Sequence, residues 1–279
     1  MPYVSLTDNR ELETMTTRRT FLMSAAGAAA GAGVITILPF DARANTAGGN
    51  TFPTDGGEVV VHPVEHASLI LETPAGVIYV DTVGDPAMYA DMPAPDMVLI
   101  THEHGDHYNA ETLAAISGEA PILTNPAVFD MLPEDLKARA SSIANGETTE
   151  MMGVGIEVIP AYNTTEERSN FHPEGRDNGY VLTVDGLTIY ISGDTEGTPE
   201  MAALSGIDVA FVCMNLPYTM DAEAAAAAVA EFAPTYVYPY HYRGQDGGTQ
   251  DPETFAQMVA DAGAETEVKL HDWYNGSLS

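Results

Sequence analysis

The chain has 279 residues, and 45% of them are hydrophobic, which is enough to build the core of one large α/β domain. Its 41 acidic residues outnumber its 10 basic residues, so that the formal net charge is −31. A surface this acidic repels nucleic acid and anionic membranes, which argues against both as partners. We therefore expect a small-molecule substrate and no nucleic-acid partner, while composition leaves the oligomeric state open.

Residues 1–44 have the features of an export signal. The segment Thr17 to Met23 resembles the twin-arginine motif, an apolar stretch from Ala25 to Leu38 follows, and Ala42-Arg43-Ala44 has the form of a cleavage site. Because the apolar stretch is short and rich in glycine, we expect no stable membrane span in the mature chain. Export would deliver the protein to the periplasm or the outside of the cell. Met15 directly precedes the motif and is a second candidate for the true start.

A polar, glycine-rich segment, 45–56, is predicted to be a linker, and 57–279 is predicted to form the functional domain. Three strands are predicted to open this domain as an antiparallel meander: Glu58 to Pro63, Ala67 to Glu72 and Val77 to Asp81. His66 stands at the start of the second strand, where it can lie near a site or serve the core. We leave His66 out of the predicted ligand set.

The next segment carries the strongest functional signal. Asp96 to Ile100 reads as a buried strand, and His102-Glu103-His104-Gly105-Asp106-His107 follows it directly. An extended backbone would turn the two imidazoles of His102 and His104 to the same side. Gly105 would then allow the bend that brings in Asp106 and His107. Three imidazoles and one carboxylate suit zinc, with iron or manganese as alternatives.

This His-x-His-x-Asp-His motif resembles that of the metallo-β-lactamase superfamily. The resemblance implies a single-domain, four-layer αββα sandwich with one or two metal ions at one edge of its two sheets. It also implies that Asp81, at the end of a strand, orients the metal loop by hydrogen bonding and does not bind metal itself.

Beyond the motif, the chain alternates between predicted helices and strands. The predicted elements are a helix at 110–117, a strand at 121–124, helical segments at 125–140 broken by Pro133, a hairpin at 147–161, a long polar loop at 162–177, and a second hairpin at 178–192. They continue with a helix at 198–204, a strand at 207–214, a helix at 221–232 with Asp221 as its N-cap, a strand at 235–239, a helix at 251–262 and a closing strand at 267–273.

Two further ligands are implied by the family resemblance. Asp194 ends the second hairpin in Ser192-Gly193-Asp194, the position of the superfamily's bridging carboxylate. His241 follows the strand at 235–239 and matches the family's last histidine ligand. A complete second site is therefore predicted from four residues: Asp106, His107, Asp194 and His241.

The first site departs from the family pattern. The family usually has a histidine where this chain has Asn163, after Pro160-Ala161-Tyr162. His172, in the long loop, is the only histidine between the 102–107 motif and Asp194. Either His172 or Asn163 can complete the site with His102 and His104, and His172 can instead face the substrate. The metal count is therefore predicted as one or two.

The motif also narrows the chemistry. Members of the superfamily with a diiron redox site typically have a glutamate in place of His104, so that hydrolysis is the prediction here. The segment Gly179 to Tyr242 resembles a lactonase-like branch that includes ascorbate-6-phosphate lactonase and the N-acylphosphatidylethanolamine phospholipases. We therefore predict an exported metal-dependent hydrolase in which a metal-bound hydroxide attacks an ester, lactone or phosphoester. Asp106 is the predicted catalytic residue, because it can orient the water or pass a proton.

One alternative function and one substrate contact complete the predictions. The absence of the usual histidine at Asn163 also fits a non-catalytic periplasmic protein that binds metal or a small ligand. Three of the few basic residues, Arg168, Arg176 and Arg243, stand in loops near the predicted ligands. Of these, Arg243 is the predicted contact for an anionic substrate.

Overall fold

The computed structural model describes residues 50–245 and 248–274, so that the predicted export signal lies outside the described residues. In this part of the chain, two seven-stranded mixed sheets carry the fold. Sheet A consists, in spatial order, of β1 (Asn50–Pro53), β2 (Glu58–Glu65), β3 (Ser68–Thr73), β4 (Gly76–Val80), β5 (Met97–Ile100), β6 (Ile122–Thr124) and β7 (Ala140–Ser142). Sheet B consists, in spatial order, of β14 (Glu267–Val268), β13 (Tyr236–Tyr240), β12 (Val209–Cys213), β11 (Leu187–Ile191), β10 (Asp177–Val184), β9 (Val154–Ala161) and β8 (Thr148–Met151).

Within residues 50–245 and 248–274, six α-helices cover the sheets, and a short 3₁₀ helix spans Pro86–Tyr89. The helices are α1 (Ala110–Ile116), α2 (Pro126–Met131), α3 (Glu134–Lys137), α4 (Pro199–Ala202), α5 (Ala222–Phe232) and α6 (Pro252–Asp261). Asp221 caps α5 as predicted, because its side chain accepts a hydrogen bond from the backbone nitrogen of Ala224. No helix of the described residues is long and apolar enough to cross a bilayer.

The central strands β3, β4 and β5 of sheet A are largely buried on both faces, and their side chains alternate between two cores. One set of side chains packs into the core that joins the two sheets: Leu69, Leu71, Ile78, Val80, Met97 and Leu99. The alternate set packs against α1, α2 and α3: Ile70, Tyr79, Val98 and Ile100. This period of two follows from the pleat of a strand. On the other side, α4 and α5 contact β9 and β12 of sheet B and α6 packs against α5, which confirms the predicted αββα sandwich.

Two predicted boundaries are wrong. The proposed linker contains β1, which pairs antiparallel with β2. Phe52 explains this, because its side chain is buried and its ring centroid lies 5.1 Å from that of Tyr236; one apolar anchor outweighs the glycine-rich composition of the segment. The closing strand is also shorter than predicted, since β14 ends at Val268 and the following residues leave the sheet.

The topology brings the functional loops to one edge of the sandwich. β4 and β5 are parallel in sheet A, and β11, β12 and β13 are parallel in sheet B. The segments that follow these strands carry Asp81, the 102–107 motif, Asp194, Asn215 and His241. Two contacts hold the sheets together at this edge: the hydroxyl of Tyr180 donates to the Ile100 carbonyl at 2.8 Å, and the Asn178 nitrogen donates to the Thr101 carbonyl at 3.1 Å.

Candidate metal centre

The 102–107 segment folds as a tight turn after β5. The backbone nitrogens of His107 and Tyr108 both donate to the carbonyl of His104, at 2.9 and 2.8 Å. His102 Nε2 and His104 Nδ1 consequently lie 3.1 Å apart. The expectation that Gly105 makes the bend possible is wrong, because Gly105 has no left-handed backbone angle and a Cβ atom there would meet open space.

His172 joins His102 and His104, and we call these residues the three-histidine group. Their candidate ligand atoms all lie within 4.8 Å of one another. The Nδ1 atom of His172 lies 2.9 Å from a carboxylate oxygen of Asp177, which is fully buried. Because Nδ1 can donate to this carboxylate, the Nε2 lone pair is left free for a cation. Asp177 was not among the predicted site residues.

Asp194 lies between the histidines. One carboxylate oxygen is 3.2 Å from His107 Nε2, and the other is 3.5 Å from His172 Nε2 and 3.4 Å from His241 Nε2. Its position depends on Gly193, which has a φ of +61° and whose added Cβ would lie 2.8 Å from the Asn178 carbonyl oxygen. A larger residue at 193 would displace the carboxylate from the position in which it faces several imidazoles.

A second set of ligands consists of His66, Asp106 and His241, which we call the mixed group. Their candidate ligand atoms again lie within 4.8 Å of one another. The Nε2 atoms of His66 and His241 are each 3.4 Å from the same oxygen of Asp106. His107, predicted for this site, instead groups with His102 and Asp194, also within 4.8 Å.

The structure therefore adds His66 to the residues predicted from the sequence. Its position at a strand start was visible in the sequence, but its neighbours were not. The backbone angle φ of His66 is +56° and that of His241 is +48°, and the His241 nitrogen donates to the His66 carbonyl at 3.2 Å. Left-handed backbone is uncommon outside glycine and concentrates at functional sites.

Asp81 has the contacts that an orienting residue needs. One of its oxygens lies 2.7 Å from His107 Nδ1 and accepts a hydrogen bond from the Thr101 hydroxyl at 2.8 Å. Its other oxygen accepts from the Thr101 backbone nitrogen. The carboxylate thus holds the start of the metal loop and leaves His107 Nε2 facing Asp194.

Whether a cation fits the site is best judged from His107 Nε2 and Asp194 Oδ1, which face each other. Both atoms are buried and have no hydrogen-bonding partner in the described structure, although they are only 3.2 Å apart. Buried polar atoms without partners cost free energy, and a cation bound between them would remove this cost. The donor set of imidazole nitrogens and carboxylate oxygens is one that zinc, iron and manganese accept. The His/Asp cluster is therefore able to bind metal.

Electrostatics favours neutral imidazole at three histidines of the cluster, His102, His104 and His66. Burial is the main reason why the pKa of His102 lies well below its usual value, and burial likewise lowers the pKa of His104. Burial and the neighbouring His241 lower the pKa of His66 to about 4. Neutral imidazole is the form that binds metal.

His107 and Asp106 behave differently from these histidines. Burial would lower the pKa of His107, but the carboxylates of Asp194 and Asp81 outweigh it and raise the pKa well above its usual value. Burial would raise the pKa of Asp106, but hydrogen bonds from His241 and His66 outweigh burial and keep this carboxyl ionised.

Asn163 makes structural contacts through both of its nitrogens. Its amide nitrogen donates to the backbone carbonyls of Tyr218, at 2.7 Å, and Arg168, at 3.0 Å. Its backbone nitrogen donates to the carbonyl of His172 at 2.9 Å. Asn163 thus supports the loop that carries His172, and the imidazole of His172 occupies the group that Asn163 was considered to complete.

Asn215 is a further site residue that the prediction did not include. Its amide oxygen accepts a hydrogen bond from the Thr219 hydroxyl, which fixes the orientation of the amide. The amide nitrogen then lies 3.4 Å from Asp194 and 3.2 Å from His241 Nε2. The sequence identifies Asn215 only as a polar residue after a buried strand, so that its position facing the cluster could be found only in the fold.

The three arginines near the site already have partners. Arg176 lies 2.5 Å from Asp177 and 3.0 Å from Glu103, and Arg168 lies 2.7 Å from Glu196. The guanidinium carbon of Arg243 lies 4.0 Å from the centroid of the Tyr274 ring. None of these arginines lines the small cavity of about 210 Å³ in front of the cluster. The cavity is lined by His104, Asp106, Phe171, His172, Asp194, Asn215, Tyr218 and Gln245.

Comparison with known proteins relates this geometry to a family. The model of a family described as a beta-lactamase superfamily domain matches residues 61–241, which include every ligand candidate named above. A UPF0173 metal-dependent hydrolase from Pyrococcus abyssi is 33% identical over 184 residues, covering 64% of this chain and 79% of the relative. A second one from Pyrococcus horikoshii is 35% identical over 171 residues, covering 60% of this chain and 75% of the relative.

Solved structures have the same fold. The crystal structure of a predicted metal-dependent hydrolase from Parabacteroides distasonis superposes with a TM-score of 0.70 at 37% identity, covering 79% of this chain and 96% of the other. The structure of Igni18, a metallo hydrolase from Ignicoccus hospitalis, superposes with a TM-score of 0.63 at 24% identity, covering 77% of this chain and 95% of the other. At that identity the second similarity concerns the fold alone.

Proposed function

The chain belongs to the beta-lactamase superfamily, and from this premise we propose that it is an exported metal-dependent hydrolase of small esters, lactones or phosphoesters. The relatives from Pyrococcus support the hydrolase class, since they are named metal-dependent hydrolases. The resemblance of the segment 179–242 to lactonase-like enzymes supports the substrate range. Residues 1–44 support export, and the net charge of −31 supports a small-molecule substrate and no nucleic-acid partner.

One observation carries this proposal: a single buried carboxylate faces both ligand groups. Asp194 approaches His172 of the three-histidine group with the same oxygen that approaches His241 of the mixed group, at 3.5 and 3.4 Å. A carboxylate can bridge two cations, which an imidazole cannot. The arrangement therefore supports two metal ions that share Asp194, with zinc as the first choice and iron or manganese as alternatives.

Bound metal would supply the chemistry of water activation, since metal binding lowers the pKa of water from about 15.7 towards 7. The residues of the chain supply position and charge. Asp106, whose side chain is 46% exposed, is the carboxylate that an incoming water meets, and it can accept a hydrogen bond from that water. The amide nitrogen of Asn215 faces the cavity and can donate to the oxygen that becomes negative when an acyl group is attacked.

The decisive experiment compares metal-free protein with protein loaded with zinc, manganese or iron. Each form is assayed on matched panels of esters, lactones, phosphodiesters and β-lactams, and metal content is measured by elemental analysis. We expect metal-dependent turnover on at least one of the first three panels and none on the β-lactam panel, and loss of turnover in His104→Ala. Full metal loading without turnover on any panel would refute the proposed function.

The alternative of a non-catalytic binding protein loses the feature that suggested it. It was suggested by the absence of the usual histidine at Asn163, and His172 now supplies an imidazole to the three-histidine group. No observation in the described residues favours the alternative over hydrolysis.

Export can be tested independently of catalysis. Replacing Arg18 and Arg19 together by lysine should keep the protein in the cytoplasm if the twin-arginine motif acts. Cell fractionation with an antibody detects this change, and unaltered secretion of the double variant would contradict the assignment.

A further inference from the structure

Two aromatic side chains form a wall beside the metal cluster. The ring centroids of Phe171 and Tyr218 lie 5.0 Å apart with an interplanar angle of 84°, and both residues line the cavity. Phe171 is 38% exposed, and Met131 is the other large apolar side chain that stands exposed among the described residues. Exposed apolar surface that lines a cavity is a common mark of ligand contact.

This wall is held in place from behind. Phe171 precedes His172 in the 162–177 loop, and Tyr218 belongs to the loop that follows β12. Asn163 bonds to the backbone of both loops, at the carbonyls of His172 and Tyr218. Arg168 adds a second connection, because its guanidinium donates to the Thr219 carbonyl at 3.1 Å. The two rings are therefore positioned by partly buried hydrogen bonds of their loops and not only by their contact with each other.

The cavity lacks a side chain that would recognise an anionic substituent. No lysine or arginine lines it among the described residues. Arg176, the cation that comes nearest to the three-histidine group at 3.5 Å from His104, is engaged by Asp177 and Glu103. No guanidinium of the described residues therefore lines the cavity to bind a phosphate or carboxylate group of the substrate.

We propose that the hydrolase acts on a small uncharged ester or lactone whose apolar part packs against Phe171 and Tyr218. This inference rests on the proposed function and narrows its substrate class by setting phosphoesters aside. In the reaction, the oxygen of water bonds to the acyl carbon, the bond from that carbon to the alkoxy oxygen breaks, and the alkoxy oxygen takes up a proton. An acid and an alcohol result, joined in one molecule when the substrate is a lactone.

The test uses the full chain loaded with zinc and two neutral lactones that differ only in their apolar chain. We expect kcat/KM to be at least about tenfold higher for γ-nonalactone than for γ-butyrolactone, which corresponds to about 1.4 kcal/mol. Phe171→Ala should remove most of this preference by raising KM for γ-nonalactone, while sparing γ-butyrolactone. Met131→Ala is the matched control, since it truncates the other exposed large apolar side chain of the described residues, on α2, and it should change neither value.

Three results would overturn the inference: equal activity on both lactones, an equal loss on both in Phe171→Ala, or faster cleavage of the anionic bis(p-nitrophenyl) phosphate than of either lactone. Metal content must stay unchanged in Phe171→Ala, because a lost metal would point to a disturbed His172 and contradict a role in substrate contact.

Calorimetric binding of γ-nonalactone separates this inference from the proposed function. If no substrate is turned over, the hydrolase proposal fails, but tighter binding by wild type than by Phe171→Ala still supports the aromatic wall. Equal affinity of the two proteins for γ-nonalactone would overturn the proposed role of Phe171 and Tyr218 in binding the apolar part, whether or not the protein is a hydrolase.

Discussion

The three-histidine group and the mixed group both face Asp194, yet their surroundings differ. In the three-histidine group, His102 and His172 are at most 1% exposed, and His172 is held by the buried carboxylate of Asp177. In the mixed group, the side chain of Asp106 is 46% exposed and that of His66 is 19% exposed. A buried, hydrogen-bonded ligand set loses little entropy when a cation binds, whereas an exposed set remains hydrated. We therefore expect the three-histidine group to bind metal more tightly and the mixed group to exchange metal and meet the substrate.

Removing an imidazole from the three-histidine group should have the largest effect on metal affinity. In His172→Ala we expect metal affinity to fall by several kcal/mol, on the scale of zinc-site energies of about 10–16 kcal/mol. Elemental analysis after dialysis should then show about one metal ion per chain where wild type keeps about two.

The matched control for His172→Ala is His62→Ala, because His62 lies 2.7 Å from Glu72 and belongs to none of the ligand groups. It should keep the wild-type metal content. Unchanged metal content in His172→Ala would contradict direct ligation, and lost activity in that case would place His172 against the substrate.

Asp177→Asn tests whether the Asp177 carboxylate orients His172 for metal binding in the three-histidine group. An amide cannot replace the charge that orients His172 and pairs with Arg176, so that zinc affinity should fall about 10–100-fold. Chelator competition measures this affinity. Asp185→Asn is the matched control, since Asp185 is an exposed turn residue in the β10–β11 hairpin, and it should leave zinc affinity unaltered. Equal affinity of Asp177→Asn and wild type would mean that Asp177 serves the fold and not the metal site.

His66→Ala tests the other half of the comparison, namely the weaker metal binding expected of the mixed group. Because the mixed group is partly hydrated, water can replace the lost imidazole, and we expect only about a tenfold loss of affinity, the lower end of such effects. Calorimetric titration should show that the weaker class of site changes and the tighter class does not. If the tighter class weakens instead, the assignment of His66 to the mixed group is wrong.

The smallest effect on the metal is expected from Glu196→Gln, next to the site. Burial would raise the pKa of Glu196, but hydrogen bonds from Thr165, Thr164 and Arg168 outweigh burial and hold the pKa below its usual value of 4.5. A depressed pKa stabilises the fold above the unfolded value, and this contribution is lost as pH falls through the folded value. Metal-free Glu196→Gln should therefore be about 1.5–3 kcal/mol less stable than wild type at pH 7.

Urea denaturation at several pH values checks this prediction. The difference between Glu196→Gln and wild type should shrink once the pH drops below the usual pKa of the glutamate. Glu231→Gln, which changes an exposed glutamate on α5, should show no difference at any pH. A difference for Glu196→Gln that is independent of pH would remove charge as its cause.

Much of the fold could be predicted because local pattern and global packing agree in this chain. The strands β3, β4 and β5 were visible as apolar runs, and α5 was visible from its N-cap Asp221. The prediction failed where one side chain outweighed composition, as with Phe52 in the supposed linker. It also failed at Gly105, where a residue type suggested a backbone requirement that the turn does not have.

Within the site, the sequence by itself determined the residues that stand in a recognisable order, namely the 102–107 motif, Asp194 and His241. Their spacing along single strands and loops is local information. Only the tertiary structure decided between His172 and Asn163, because the loop that carries both can be closed in more than one way until β9, β10 and the Tyr218 loop are packed. It likewise brought in His66, Asp177 and Asn215. Each of these residues acts through a neighbour that is distant in sequence or hidden in a loop, and such neighbours are chosen by how the two sheets pack face to face.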